Sequence, residues 1–395
     1  MTHAAELMLA LVRAAVFGAV EHGTVECAEL DEAEEKRIIR LAREHDLGHL
    51  IAIGAERCGV KLSAEAKSTA DSERMTAVYR YVGIRGELAA ILDTLEEGGV
   101  DHLPMKGSVI RAMYPEAWMR TSCDVDILVR EADLGRAREL LESELEYKYI
   151  GMGNHDISLE SPGGVHLELH YKPLNDYVLS DYEKPLGNVF DKLVIEDGFK
   201  YRYRMPDEYF YYYHVAHMAK HYVNGGSGVR SLVDLRLLLL RDPDLPTKAG
   251  ALLKEGGLVA FDEAVRHLSR VWFGYAEHTD LTRTMEEYIV FSGVYGDMEN
   301  MIASSRGEGG RVRYLFARTF PRYEVMCDVY PSLKGKRWLL PVYWLRRLFR
   351  IIFTPKLLRR SFTEIRANNE ISEEKISKVT SSMRRLGLRS ENVQD

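Results

Sequence analysis

Cysteine and long apolar runs are scarce in this 395-residue sequence, and each scarcity excludes a class of protein. The cysteines lie far apart and form no Cys-x-x-Cys pair, which argues against a disulfide framework or a zinc knuckle and indicates reduced thiols in the cytoplasm. No stretch reaches the roughly 18 uncharged apolar residues that a membrane-spanning helix needs. Residues 1–20 have no basic leader, and Glu6 and Arg13 interrupt their apolar run, so they predict an amphipathic helix and not a signal peptide. The four cysteines are Cys27, Cys58, Cys123 and Cys327.

Acidic residues are missing from one stretch of an otherwise acidic chain. Residues 331–360 contain nine Lys or Arg and no Asp or Glu. The formal net charge of the whole chain is −7, and removing those nine cations leaves −16 on the rest. A globally acidic protein is a poor general DNA binder, because neutralising phosphates requires a broad basic surface. We therefore expect no general DNA binding. The basic stretch remains a candidate for a local interaction site.

The spacing of apolar residues changes twice along the chain. Up to residue 95 it follows the three- and four-residue period of helices, with Asp31 as a predicted N-cap and Gly98-Gly99 as a predicted stop. Short strands separated by turn signals then surround one predicted helix at 131–146. Helices return near residue 206, and the polar, charge-rich residues after Arg360 predict a loosely ordered tail.

This layout predicts an α+β fold of more than one structural unit, in which a small mixed sheet is flanked by N- and C-terminal helical regions. The predicted units are a helical region at 1–95, a sheet-containing unit at 96–200, a helical domain lining a cleft at 201–330, and a basic aromatic segment with a polar tail at 331–395.

The segment "CDVDILV" places two aspartates in an apolar strand. Side chains alternate between the faces of a strand, so Asp124 and Asp126 point to the same side, where two carboxylates repel unless a cation compensates them. An Asp-x-Asp pair on the solvent face of an edge strand is common. However, "VDILV" is too apolar for a freely solvated face, and paired carboxylates are ligands for hard cations such as Mg²⁺.

Two further signals surround this pair. Gly107 and Ser108 follow a strand and precede a helical segment, where glycine allows close approach to a phosphate and the helix N-terminus supplies donors. Glu168 lies in "VHLELHY", a strand in which His166, Glu168 and His170 share one face that an antiparallel neighbour would bring beside the aspartates. Each signal alone is common on ordinary surfaces. Their joint order and spacing indicate one site.

Taken together, these motifs resemble those of a known group of enzymes. The middle of the chain resembles the palm of the DNA-polymerase-beta-like nucleotidyltransferase superfamily, whose pattern is Gly-[Gly/Ser], then [Asp/Glu]-x-[Asp/Glu], then a third acid on a later strand. More narrowly, "LPMKGSVIRAMYPEAWMRTSCDVDILV" and "VHLELHYKP", within roughly residues 100–175, resemble an uncharacterised bacterial nucleotidyltransferase family with Lys-Gly, Tyr-Pro, Arg-x-x-x-Asp-x-Asp and Glu-Leu-His motifs. The flanking "HMAKHYVNGGSGVRSLVDLRLLL" and "LLPVYWLRR" fit that family more loosely.

The resemblance implies an enzyme that uses Mg²⁺ or Mn²⁺ to move a nucleoside monophosphate from a nucleoside triphosphate, with ATP favoured, to a hydroxyl acceptor, releasing pyrophosphate. The resemblance does not identify the acceptor, which could be a small molecule, a glycan precursor, a protein or an RNA end. The implied metal ligands are Asp124, Asp126 and Glu168, and Glu168 would also take the hydroxyl proton. The implied nucleotide contacts are Gly107 and Ser108 on the phosphates, with Lys106 and Arg120 as the nearest cations.

Arg120 precedes Asp124 by four residues, which would let it meet a phosphate or the aspartate pair itself. His214, His217 and His221 share one face of a later helix, but three histidines on one straight helix rarely converge on a metal ion. We expect His217 and His221 to line the cleft with Arg230 and Asp234, as nucleotide or acceptor contacts. Ordinary buried or solvated helix residues are an equally good interpretation.

Two alternatives remain at this stage. The palm could be a non-catalytic nucleotide-binding or scaffold module, although its intact set of acids argues against that. The segment "RWLLPVYWLRRLFRIIFTPKLLRR" could give weak peripheral membrane association as an interfacial amphipathic helix. We favour instead a helix packed across the acidic body with its arginines paired internally, because Pro341 and Pro355 limit a long free helix.

Overall fold

The computed structural model describes residues 2–18, 30–153, 155–174, 181–293 and 296–388. Its N-terminal part is helical, and Asp31 caps the second helix by accepting a hydrogen bond from the Glu34 backbone N–H at 2.8 Å. Cys27 lies outside the described residues, and the other three cysteines form no disulfide bond with one another. The helices are α1 (His3–Phe17), α2 (Glu32–Glu44), α3 (Ile51–Cys58) and α4 (Ala64–Glu97).

A five-stranded sheet follows, in the spatial order β1-β2-β5-β4-β3. Its strands are β1 (His102–Pro104), β2 (Asp124–Val129), β3 (Lys148–Met152), β4 (Asp156–Glu160) and β5 (His166–His170), with helices α5 (Gly107–Ile110) and α6 (Leu134–Glu144) between them. β2 and β5 are parallel, and the other neighbouring strands are antiparallel. The expectation that the strand of Glu168 runs antiparallel to the Asp-x-Asp strand is therefore wrong. The crossover through α6 starts β3 in the direction of β2, and the turns after β3 and β4 give β5 that same direction.

The next helices surround the sheet and share a core with the N-terminal ones. They are α7 (Asp207–Val223), α8 (Val229–Arg241), α9 (Leu245–Lys248), α10 (Gly250–Glu255), α11 (Val259–Phe273), α12 (Asp280–Val290) and α13 (Met298–Arg306), preceded by a two-stranded ribbon of β6 (Val194–Ile195) and β7 (Tyr203–Arg204). Apolar residues of α1–α3 and of α7, α8 and α11 form one cluster, while the sheet, α4 and α6 form a second. A mixed sheet between helical regions confirms the predicted α+β class. The proposed boundaries at 95, 200 and 330 stay a prediction.

The last part of the chain is also helical. It contains α14 (Gly310–Thr319), α15 (Tyr323–Val329), α16 (Leu340–Phe353), α17 (Pro355–Glu370) and α18 (Glu373–Arg385). The predicted loose order after Arg360 is wrong for the described residues. Ile376, Val379 and Met383 recur at helical spacing on α18 and are buried in the main core, which offsets the polarity of the rest of the helix.

The basic segment does not lie as expected. α16 has no buried residue, and it packs through Tyr343 and Trp344 against a small core around Met326. Among the nine cations of residues 331–360, all within the described part of the chain, only Arg337 forms an ion pair, with Glu324. The expected helix packed across the acidic body with internally paired arginines is therefore wrong. No helix in the described ranges is both long enough and apolar enough to cross a membrane.

Candidate active site

A cleft of about 330 Å³ opens between the sheet and the helices α7 and α8. This volume is within the range of small-molecule sites. Ser108, alone among the residues predicted for the site, does not line it, and instead lines an adjacent cavity that shares Phe210 and Tyr213 with the cleft. The other predicted residues all line the cleft: Lys106, Gly107, Arg120, Asp124, Asp126, Glu168, His217, His221, Arg230 and Asp234.

The register of the two central strands brings the acids together. Asp126 on β2 is paired with Glu168 on β5, so their carboxylates lie on one face of adjacent parallel strands. On the opposite face, Val125 and Ile127 are buried in the core of the sheet. This alternation explains how so apolar a strand carries acidic residues: one face packs the core and the other faces the cleft.

Lys106 supplies the positive charge nearest to these acids. Its Nζ lies 2.5 Å from Asp126 Oδ1 and 3.9 Å from Glu168 Oε2. Burial opposes the charged form and is the largest single influence, but the nearby acidic groups, Asp126 foremost, together outweigh burial and raise the pKa of Lys106 above its ordinary value. The backbone of Lys106 has a φ of 46°, which costs a non-glycine residue roughly 1–3 kcal/mol. A constrained turn therefore holds a permanently charged ammonium against Asp126.

His170 completes the group, although the sequence indicated only that it shares a face with Glu168. Its Nε2 lies 2.9 Å from Asp126 Oδ1 and 3.2 Å from Glu168 Oε2. Burial lowers the pKa of His170, but its hydrogen bonds with the two carboxylates outweigh burial and raise it. The hydrogen bond from His170 in turn lowers the pKa of Glu168 below its ordinary value.

These three side chains are the group, among the described residues, whose donor atoms could hold a metal ion. One donor atom from each of Asp126, Glu168 and His170 lies within 4.8 Å of the other two. Two carboxylate oxygens and one imidazole nitrogen suit a divalent cation. In this structure the Lys106 ammonium and His170 provide the compensation that the buried Asp126 carboxylate requires.

Asp124 lies at the start of β2, half-buried at the edge of the same cleft. Burial raises its pKa, and the neighbouring Asp126 charge raises it further. Any positive charge added nearby would therefore stabilise the ionised form of Asp124. It is not part of the three-residue group, so its predicted role as a metal ligand stays a prediction.

Arg120 and Asp234 form a buried ion pair beneath the turn that carries Gly107. The Arg120 guanidinium contacts Asp234 at 3.0 Å, and Tyr114 donates a hydrogen bond to the same carboxylate at 2.6 Å. A third nitrogen of Arg120 donates to the Thr121 carbonyl oxygen. The interpretation that Arg120 meets the aspartate pair is therefore wrong, because Asp234 occupies its guanidinium. A Cβ added at Gly107 would lie 3.2 Å from that guanidinium, which explains the need for glycine there.

Arg230 faces the cleft from α8 and is held in place by a residue that the sequence did not single out. It forms an ion pair with Asp46, in the turn after α2, and donates a hydrogen bond to the Thr121 carbonyl at 3.1 Å. Asp46 is distant in sequence and belongs to no motif. The backbone of Asp46 has a φ of 54°, in the left-handed region, but this conformation cannot be read from the sequence.

His217 and His221 line the cleft from α7, with their Nε2 atoms 3.2 Å apart. Burial and, to a smaller extent, the nearby Lys220 charge lower the pKa of His221 to about 4. Burial also lowers the pKa of His217. Both imidazoles are thus neutral at physiological pH. His214 instead contacts the Ser231 carbonyl, so the three histidines do not converge.

Comparison with known proteins gives one match. A family model described as an uncharacterised nucleotidyltransferase matches residues 31–274 of the chain. No curated protein and no solved structure matches. The matched span covers more than half of the chain and contains every residue of the cleft discussed above, including Asp46.

Proposed function

The chain belongs to this family of uncharacterised nucleotidyltransferases, and we propose that it transfers a nucleoside monophosphate from a nucleoside triphosphate to a hydroxyl group, releasing pyrophosphate. Family membership makes the protein an enzyme of the nucleotidyltransferase class. The observation that carries the specific reaction is the group of Asp126, Glu168 and His170 beside Lys106, in a cleft with the volume of a small-molecule site.

The donor set fits a divalent cation. Asp126, Glu168 and His170 would hold it, with Asp124 at the cleft edge as a further carboxylate. When bound, Mg²⁺ or Mn²⁺ would neutralise the triphosphate oxygens and the charge that develops on the leaving pyrophosphate. The close contact of the Lys106 ammonium with Asp126 supports this fit, because it shows that the carboxylates are arranged to receive positive charge.

The chain's own groups account for the remaining chemistry. The acceptor hydroxyl oxygen attacks the α-phosphorus, the bond to the bridging oxygen breaks, and pyrophosphate leaves with that bond's electron pair. The hydroxyl proton passes to Glu168, whose lowered pKa keeps it ionised, or to the adjacent His170 where that imidazole is unprotonated and holds no cation. Lys106 offers an ammonium to the phosphates, and Gly107 leaves room for their approach.

The helical side of the cleft suits the base, the ribose or the acceptor. Neutral His217 and His221 can donate or accept hydrogen bonds without adding charge, and Arg230 is oriented by Asp46. ATP is the donor that we test first. The candidate acceptors are a small molecule, a glycan precursor, a protein side chain and an RNA end.

The experiment that tests the proposal identifies the acceptor at the same time. The protein is incubated with each α-³²P-labelled nucleoside triphosphate, a divalent cation and a cell extract, and the labelled product is isolated. We expect label transfer by the wild type, none by Asp126→Asn, and wild-type transfer by Asp197→Asn, an exposed carboxylate far from the acids in sequence. Binding of triphosphate without transfer under every condition would favour a non-catalytic module.

Nucleotide binding should discriminate between two residues of the site. We expect Ser108→Ala to weaken triphosphate binding by no more than about tenfold, since one hydrogen bond contributes roughly 0.5–1.5 kcal/mol and Ser108 lines the adjacent cavity. Asp124→Ala should weaken it more in the presence of Mg²⁺, because a carboxylate at the cleft is lost. Calorimetric titration measures both; the reverse order would contradict the two assignments.

A further inference from the structure

One helix near the C-terminus has two apolar sides, and only one of them is covered. The side with Tyr343 and Trp344 packs against the small core around Met326. The opposite side of α16 carries apolar residues at spacings of three and four, which form a continuous stripe along the helix. Each member of this outer stripe is more than half exposed: Val342, Leu345, Phe349 and Ile352.

The outer stripe continues at both ends of the helix. Trp338 before α16 is 78% exposed, and Phe353 at its end is 76% exposed. The Phe353 ring stacks on Phe349 with ring centroids 6.1 Å apart, which joins it to the stripe. Contiguous exposed aromatic and aliphatic residues of this kind mark an interaction surface, because soluble proteins otherwise avoid them.

The charge around the outer stripe is mostly positive, although the Glu324 carboxylate pairs with Arg337 beside Trp338. Lys334, Arg350, Lys356 and Arg359 are exposed, and within the described residues none of them forms an ion pair. The stretch from 331 to 360 contains no carboxylate to oppose them, although the rest of the chain is strongly acidic. Cations flanking an apolar helical face are the arrangement of helices that lie in the headgroup region of an anionic membrane.

We propose that α16 and its flanking cations dock the protein on an anionic lipid surface. The helix has 14 residues and does not span a bilayer, so its outer stripe would lie parallel to the membrane with the apolar side chains inserted below the headgroups. A second copy of this surface is a poor occupant, because two facing patches would bring their exposed cations together. The docking does not depend on the proposed transfer reaction.

The experiment uses the full chain with sedimentable lipid vesicles. We expect binding to phosphatidylcholine vesicles that contain phosphatidylserine and no binding to phosphatidylcholine alone. Loss of a single cation in Arg350→Gln or Arg359→Gln should weaken binding by about fivefold each. Leu345→Glu should weaken it by about tenfold or more, because it removes an inserted side chain and adds a repelled charge. Raising the salt concentration should release the wild type.

A matched variant controls for the introduced charge. Leu240→Glu makes the same change at a leucine on α8 that is 54% exposed, compared with 58% for Leu345, and should bind vesicles like the wild type. Equal binding to neutral and anionic vesicles, or equal loss in both leucine variants, would overturn the proposal. So would the absence of vesicle binding together with a dimer that Leu345→Glu dissociates, since the occupant would then be a second copy.

Discussion

Replacing Glu168 by glutamine should lower turnover by about 10²–10⁴-fold while leaving the strand and most of the nucleotide affinity in place. Glutamine has nearly the shape of glutamate and still accepts a hydrogen bond, but it cannot take the proton of an attacking hydroxyl. The measurement is single-turnover transfer of labelled nucleotide once an acceptor is known, with self-modification included among the candidates. Retention of wild-type turnover would show that another group is the base.

His170 is that other group, and the dependence of kcat/KM on pH distinguishes the two. Glu168 has a pKa below the ordinary value of 4.5, because of its hydrogen bond with His170, so a Glu168 base predicts activity that falls only below that pH. His170 has a pKa above its ordinary value of 6.5, because its hydrogen bonds with the carboxylates outweigh burial, so a His170 base predicts a fall that begins at a higher pH than for Glu168.

The control for Glu168→Gln is His170→Gln in the same assay. If Glu168 is the base, His170→Gln should lower turnover less than Glu168→Gln and should leave the position of the acid limb unchanged. It should also weaken binding of the divalent cation, because His170 belongs to the three-residue group. A larger loss of turnover in His170→Gln, together with loss of the acid limb at the higher pH, would assign the proton to His170.

Removing one partner of the Arg120–Asp234 pair should destabilise the fold by roughly 3–5 kcal/mol. Both side chains are almost fully buried, at 10% and 3% side-chain exposure, so Asp234→Ala leaves a guanidinium in the interior with its main counter-charge removed. Tyr114 loses its hydrogen-bond acceptor in the same variant. Urea unfolding measures the change. We expect the turn at Gly107 to loosen as well, since Arg120 packs against it.

The double variant Arg120→Met/Asp234→Leu should recover part of that loss, because apolar replacement of both charges leaves neither unpaired. The comparison is a half-exposed pair on the surface of α6, Arg138 and Glu142, whose contact is 2.7 Å at 39% and 32% side-chain exposure. Removing either of its members should cost about 0.5 kcal/mol or less. Similar losses in the two pairs would mean that burial does not set the contribution of Arg120 and Asp234.

The local parts of this site could be predicted from the sequence because they depend on the alternation of side chains along a strand. The same-side placement of Asp124 and Asp126 follows from that alternation, as does the shared face of Glu168 and His170. The direction of β5 could not be predicted from its own residues, because it is set by the crossover through α6 and the two turns that follow it. Alternation is a property of the segment, whereas direction is a property of the path between segments.

The remaining contacts join residues that are far apart in the chain. Arg120 and Asp234 are separated by 114 positions, and Asp46 and Arg230 by 184. Neither partner of such a pair carries a local signal for the other, so the sequence indicated a phosphate or the aspartate pair as the partner of Arg120 and gave no sign of Asp234. The predicted packing of the basic segment was wrong for a related reason. The composition of the segment indicated an amphipathic helix, but it did not indicate which of the two apolar sides of that helix would be covered.

The parallel pairing of β2 with β5 also bears on the order in which the molecule folds. The Lys106–Asp126 contact closes a loop of 20 residues, whereas the Asp126–His170 contact closes one of 44, at an entropic cost roughly 0.7 kcal/mol higher. We therefore expect Lys106 to neutralise Asp126 before the second strand arrives. Pulsed hydrogen exchange during refolding should show amide protection in β1 and β2 before protection in β5. In Lys106→Met the lag before protection of β5 should lengthen, because the Asp126 carboxylate then has no neighbouring positive charge until His170 reaches it.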